Sequence, residues 1–75
     1  MPKLPRITGK EVVVALKQTG FILSHIRGSH YYLWHEANKR MVTVPVHSGQ
    51  TIKLDTLQSI LRQASLTVEE FIELL

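Results

Sequence analysis

Among the side chains of this chain, His30 is best suited to moving a proton, and it lies in the stretch Arg27-Gly28-Ser29-His30-Tyr31-Tyr32-Leu33-Trp34. Imidazole titrates near neutral pH and can take or give a proton there without a metal. In a basic chain the reaction that suits such a histidine is RNA cleavage, in which the 2′-hydroxyl attacks the adjacent phosphate once a base removes its proton. The nucleophile then comes with the substrate, and DNA, which lacks that hydroxyl, is excluded. Arg27 is a candidate to stabilise the charge that builds on the phosphorane. His47 is a candidate either to protonate the leaving oxygen or to hold a phosphate. A plainer reading stands beside these, because a histidine near a hairpin turn is usually solvated or bonded to backbone. A metal held by His25, His30 and His47 is disfavoured, since no ligand-spacing motif or nearby carboxylate supports it.

Tyr32 and Trp34 are candidates to stack on unpaired bases. They serve equally well to shield the sheet or to dock a protein partner. Lys39 and Arg40 are placed to grip a phosphate backbone, though solvated hairpin tips look the same. His35, on the core side near a strand end, reads as structural, and Met41 as packing.

Positioning these residues requires a tight hairpin. Gly28-Ser29 between two apolar and aromatic runs is a two-residue turn signal, because Gly tolerates the positive φ that primed turns need. Upstream, Met1 to Arg6 carries two prolines and reads as an extended lead-in. Thr8-Gly9-Lys10-Glu11 has capping-box spacing, Val12, Val13 and Leu16 form an apolar stripe, and Gly20 is a left-handed stop, so a helix is expected over residues 9–19. Three strands follow, over residues 21–27, 29–35 and 40–47. Asp55-Thr56-Leu57-Gln58 again has cap spacing and opens a second helix carrying Leu57, Ile60, Leu61 and Ala64. Thr67-Val68-Glu69-Glu70 opens a short third helix with Val68, Phe71, Ile72 and Leu75.

The expected fold class is α+β, an α-β-β-β-α order with a three-stranded antiparallel meander and helices on one face. This is the arrangement of double-stranded-RNA-binding domains. With Gly28-Ser29 as the first loop, His30 pairs with Arg27, Tyr32 with His25 and Trp34 with Leu23. With Asn38-Lys39 centring the second, His30 pairs with His47, Tyr32 with Pro45 and Leu33 with Val44. Alternation then sets Ile22, Ile26, Tyr31, Leu33, Val42, Val44 and Val46 on the core face. His25, Arg27, His30, Tyr32, Trp34, Thr43, Pro45 and His47 fall on the open face. Phe21 and Leu23 fall there too, against their apolar character, unless a bulge or covering loop buries them.

The chain has 75 residues, 44% of them apolar, with no cysteine and a formal net charge of +3. That is one small globular domain over residues 1–75, without disulfides or thiolate metal sites. The basic excess is a modest bias toward polyanions. The acidic residues Glu69, Glu70 and Glu73 gather at the C-terminal end, away from most of the basic ones. No apolar run approaches a bilayer span and no signal-peptide pattern opens the chain, so a cytoplasmic location is expected.

Five blocks, in order, carry a family resemblance over nearly the whole chain: Gly20-Phe21; Gly28-Ser29-His30; Val44-Pro45-Val46-His47; Thr56-Leu57 with Ser59-Ile60-Leu61-Arg62-Gln63-Ala64; and Glu69-Glu70-Phe71. Together they resemble the HicA (YcfA-like) toxins of toxin–antitoxin systems. The resemblance implies a double-stranded-RNA-binding-like fold and an endoribonuclease (mRNA interferase) that needs no metal or other cofactor and arrests translation. It also implies neutralisation by a HicB-type antitoxin. The family's catalytic histidine falls on His30, the glycine before it on Gly28, and the histidine after its valine-proline on His47. Two departures stand out. The family commonly has Pro-Gly where this chain has Leu54-Asp55, and relatives often carry Arg at the position of His25. A non-catalytic RNA-binding module of the same fold is the alternative reading, and a protein-interaction domain a further one.

Overall fold

The computed structural model describes residues 3–75. Met1 and Pro2, the start of the expected extended lead-in, lie outside the described residues. Six elements follow in order: α1 (Gly9–Lys17), β1 (Ile22–Arg27), β2 (His30–His35), β3 (Arg40–Pro45), α2 (Leu54–Ala64) and α3 (Val68–Glu73). The strands form one antiparallel sheet in the order β1-β2-β3. This is the α+β meander expected from the sequence, compatible with a double-stranded-RNA-binding-like fold.

Helix α1 begins where its capping box sets it. The Glu11 N–H donates to Thr8 Oγ1 at 3.3 Å, and the Thr8 N–H donates to Glu11 Oε1 at 2.9 Å. Two free N–H groups of the first turn are thereby satisfied at once. The helix ends at Lys17, two residues short of the expectation, because Thr19 and Gly20 already form the terminating turn; Gly20 takes φ +103°. The Phe21 N–H then donates back to the Leu16 carbonyl at 3.4 Å. That closing turn swings the Phe21 side chain into the core before β1 starts.

The pairing of β1 with β2 agrees with expectation near the hairpin and departs from it further along. Arg27 faces His30 and His25 faces Tyr32, but a bulge between Leu23 and His25 shifts the register by one residue. Leu23 therefore meets Leu33, and Ile22, not Leu23, meets Trp34. A one-residue slip exchanges the two faces. Leu23 turns to the core side, with Phe21 buried just ahead of it, while Ile22 moves to the open face and is exposed. Ile26 stays on the core side as expected yet is half exposed, because every residue of β1 lies beyond the cover of the helices.

The second hairpin is also corrected. Its turn spans four residues, Glu36 to Lys39, with Lys39 at φ +53°, so the pairing slides by two positions from a turn centred on Asn38-Lys39. His30 faces Pro45 rather than His47, Tyr32 faces Thr43, and Leu33 faces Val42. A shift of two preserves the faces, so Leu33, Val42 and Val44 are still fully buried. Strand β3 ends at Pro45, two residues before the expected His47, on the outer edge where a missing N–H is tolerated.

Strand β3 is the one packed against α1 and α2. The core between sheet and helices is built from Val12, Leu16, Leu33, Val42, Val44, Leu57, Ile60 and Phe71, all essentially inaccessible to solvent. Gly9 is required where α1 crosses β3: a Cβ there would lie 2.3 Å from the Pro45 carbonyl oxygen and 2.9 Å from Val46 Cα. No larger side chain allows backbone to approach backbone so closely. Helix α2 starts at Leu54, one residue before Asp55, with Lys53 at the cap position and no side-chain cap; Asp55 Oδ1 instead accepts from the Thr56 N–H at 2.9 Å. The box at Thr67 and Glu70 caps α3 as expected.

Two carboxylates hold local structure together, and both respond to acid. Glu11 is held below its ordinary pKa of 4.5 first by the Thr8 backbone N–H and then by its hydroxyl. Glu36 is held below the same value by Lys39 and then by the Trp34 indole. A carboxyl with a depressed folded-state pKa stabilises the fold fully above its unfolded value, and the contribution disappears as pH falls through the lowered value. Acid titration followed by circular dichroism should therefore show a small decline in stability as pH falls below about 4.5, where the unfolded chain takes up protons that the folded carboxyls still exclude. Glu11→Gln, which keeps the cap geometry, should flatten part of that decline; an unchanged profile would show that the Glu11 box carries none of it.

Candidate functional site

The open face of the sheet is ordered in rows of cross-strand neighbours. The row nearest the first hairpin contains Arg27, His30 and Pro45; the next contains His25, Tyr32 and Thr43; the third contains Ile22, Trp34 and Met41. Same-side rows are two residues apart, about 7 Å along a strand. His30 is the exposed first residue of β2. Its partner Arg27 is the exposed last residue of β1, so a cation and an imidazole share the edge of the sheet at the hairpin mouth.

Gly28 makes this turn possible by conformation rather than by space. It adopts φ +59°, yet a Cβ would meet nothing within 4 Å. Among the described residues Ser29 is not at positive φ, and a positive first position followed by a negative second is the II′ pattern of two-residue hairpins. The Ser29 carbonyl accepts from the Val46 N–H at 2.7 Å, which ties the turn to the chain leaving β3.

His47 is exposed and lies in that departing segment, where the Gln50 N–H donates to the His47 carbonyl at 3.0 Å. It is not the cross-strand partner of His30 that the sequence-based register predicts. Continuing the observed register past Ser29 and Val46 sets His47 level with Gly28, diagonal to His30.

Two shallow grooves meet at His47. One, of 340 Å³, is lined also by Pro45, Gln50, Thr51, Ile52, Lys53 and Thr56. The other, of 440 Å³, is lined also by Thr8, Lys10, Tyr31, Val46, Ser48 and Gly49. They converge because the starts of α1 and α2 are stitched together: Thr8 bridges Thr51, and the Ile52 N–H donates to the Ile7 carbonyl at 2.8 Å. Lys10 and Lys53 are thus brought to the flanks of His47. The sequence shows them as basic residues, but nothing in their spacing links them to a histidine more than thirty residues from one and six from the other.

The remaining candidates lie elsewhere. Arg40 faces His35 at the opposite end of the sheet from His30, five residues and about 17 Å along β2. Lys39 is at that end too, paired with Glu36 at 2.8 Å. Both of its partners are exposed, so the pair contributes little to stability. The other oxygen of Glu36 accepts from the Trp34 indole N–H at 2.6 Å, which fixes the indole at the far end of the open face. His35 has the bonds of a structural residue: Nε2 lies 2.9 Å from the Thr19 carbonyl, and Nδ1 accepts from the Asn38 N–H at 3.1 Å. Its ring meets Phe21 edge-on at 5.0 Å. Tyr32 is stacked on His25, ring centroids 4.3 Å apart and planes within 8°. Among the described residues no group of three or more His, Asp or Glu side chains is arranged to hold a metal ion.

A three-stranded antiparallel meander backed by helices, with an exposed histidine and arginine at the mouth of its first hairpin, is an α+β domain compatible with a double-stranded-RNA-binding-like fold. The family model for the HicA toxin of bacterial toxin–antitoxin systems matches residues 9–66, and the chain belongs to that family. Membership makes it the toxin component of a toxin–antitoxin system, with an antitoxin partner. No curated protein matches the chain. No helix among the described residues is long and apolar enough to cross a membrane.

Proposed function

We propose that this toxin acts as one domain over residues 1–75, an endoribonuclease that cleaves mRNA and is neutralised by a HicB-type antitoxin in the cytoplasm. His30 takes the proton of a 2′-hydroxyl, whose oxygen attacks the neighbouring phosphorus. The new O2′–P bond forms as the P–O5′ bond breaks, leaving a 2′,3′-cyclic phosphate and a 5′-hydroxyl; water can open the cyclic ester afterwards. Arg27, beside His30, stabilises the charge on the equatorial oxygens. His47, on the diagonal, protonates the departing O5′ or holds the phosphate. A diagonal separation suits this division of labour better than direct pairing, because the two imidazoles must stand on either side of a phosphodiester rather than against one another. Gly28 and Ser29 keep the turn low, so that RNA can approach His30. Tyr32 lies one row away along the RNA path, and Lys39 and Arg40 contact the backbone where it leaves the sheet.

The observation that carries the proposal is the shared row of Arg27 and His30 at an exposed sheet end, in a chain of the HicA family. The nucleophile belongs to the substrate, so the scheme needs no metal. Incubation of the protein with mRNA in EDTA should yield fragments ending in cyclic phosphate, and the same RNA with 2′-deoxy nucleotides at the cut sites should stay intact. Cleavage of the deoxy strand, or loss of activity in EDTA, would overturn the scheme. RNA binding without any cleavage would favour the non-catalytic module.

A further inference from the structure

The stack of His25 on Tyr32 changes which ring is free to meet a ligand. Tyr32 sits in the middle strand and is half-buried, with one face covered by the imidazole of His25. His25 sits on β1, an edge strand with no strand beyond it among the described residues, and is exposed. Its ring is held upright from two sides: by Tyr32 at 4.3 Å, and by a hydrogen bond of 3.1 Å between its Nδ1 and the Ser24 hydroxyl. Ser24 is the residue between the two pairing positions where the β1 register shifts. Bulges re-aim neighbouring side chains and recur beside functional sites. The outcome is a pre-oriented aromatic ring, backed by a second one, whose outer face is open at the sheet edge.

We propose that this outer face of His25 is a stacking shelf for one unpaired nucleobase of the RNA cut at His30, the two-ring His25–Tyr32 stack becoming a three-ring stack on binding. The proposal rests on the RNA-cleaving reading above and narrows its substrate to single-stranded RNA, because bases inside a duplex are already stacked and cannot reach the edge of β1. The shelf is one row, about 7 Å, from Arg27 and His30. A nucleotide adjoining the phosphate at His30 can therefore lay its base there. Such stacking accepts any base, since each has a π-face. It therefore positions the strand without reading its sequence. Trp34 is less suited to the task, two rows from His30 with its indole N–H committed to Glu36.

The test compares two short single strands that cannot be cut: a 2′-O-methyl RNA, and an abasic strand of equal length that offers phosphates alone. His25→Ala should weaken binding of the 2′-O-methyl RNA by about 5- to 150-fold, the range expected for one base–aromatic stack, and leave the abasic strand unaffected. His25→Phe should bind the RNA like the parent chain, whereas His25→Leu, with bulk but no π-face, should bind like His25→Ala. Because His25 is exposed, these variants should keep the parent circular dichroism spectrum, and the Phe–Leu comparison decides the matter even if alanine perturbs β1. Equal RNA binding by parent and His25→Ala, parent-like binding by His25→Leu, or equal loss on both strands would overturn the shelf while leaving the RNA-cleaving reading in place. Failure of the parent chain to bind either strand would overturn both.

Discussion

His30→Ala is expected to lower the rate of RNA cleavage by about 10²- to 10⁴-fold, the usual contribution of a positioned general base, and to abolish growth arrest when the protein is produced in cells. RNA affinity should change far less, because the charged groups around the site, Arg27, Lys10 and Lys53, remain in place. The stability of the variant should match the parent, since His30 is exposed at the start of β2 and contributes nothing to the core. Those three readouts together separate a chemical role from a structural one. A fall in cleavage matched by an equal fall in binding would make His30 a contact residue. A variant that cleaves at the parent rate would remove His30 from the chemistry and leave His47 as the histidine to test. If His47 is the group that protonates O5′, then His47→Ala should slow cleavage of ordinary RNA more than that of a substrate whose leaving oxygen is already a good leaving group. The ratio of the two rates checks this.

Phe71→Ala should destabilise the fold by about 3–5 kcal/mol, the range for deleting a fully buried aromatic ring. Phe71 is completely inaccessible to solvent, although it belongs to a helix of only six residues near the C-terminus. It also lies beyond residues 9–66, the part of the chain that the family model covers. Helix α3 is therefore no appendage: it places Phe71 in the cluster that includes Leu16, Leu33 and Leu57. A small domain has only about 5–15 kcal/mol of stability in total, so losing this ring should remove between about a fifth and all of it. Urea denaturation measures the effect directly. A change below about 1 kcal/mol would mean that the remaining core closes over the space, against the poor relaxation usual in close-packed interiors.

Both residues were visible in the sequence, for different reasons. His30 follows a Gly-Ser turn signal, and Phe71 follows a capping box at helical spacing. Each signal involves residues at most a few positions apart, so the geometry it predicts survives whatever the rest of the chain does. The boxes at Thr8–Glu11 and Thr67–Glu70 formed as read. The cap expected at Asp55 did not: the helix begins one residue earlier, at Leu54, with Lys53 at its cap position.

What the sequence by itself determined about this protein is thus local: its caps, its first turn, the alternation that separates a buried face from an open one, and the row that joins Arg27 to His30. Tertiary structure decided the rest. The bulge beside Ser24 slips the strand by one residue and exchanges Ile22 for Leu23 on the core side, which nothing in the local sequence of β1 announces; Leu23 is still 37% exposed there, while Phe21 is buried by the turn that precedes the strand. The four-residue turn at Glu36 to Lys39 sets Pro45, not His47, opposite His30, since turn length and strand register must be satisfied together. The same long-range constraints bring Lys10 and Lys53 to His47, residues whose proximity no short-range pattern encodes; the pairing of His25 with Tyr32 follows from the first turn, and the structure adds the stacking of their rings.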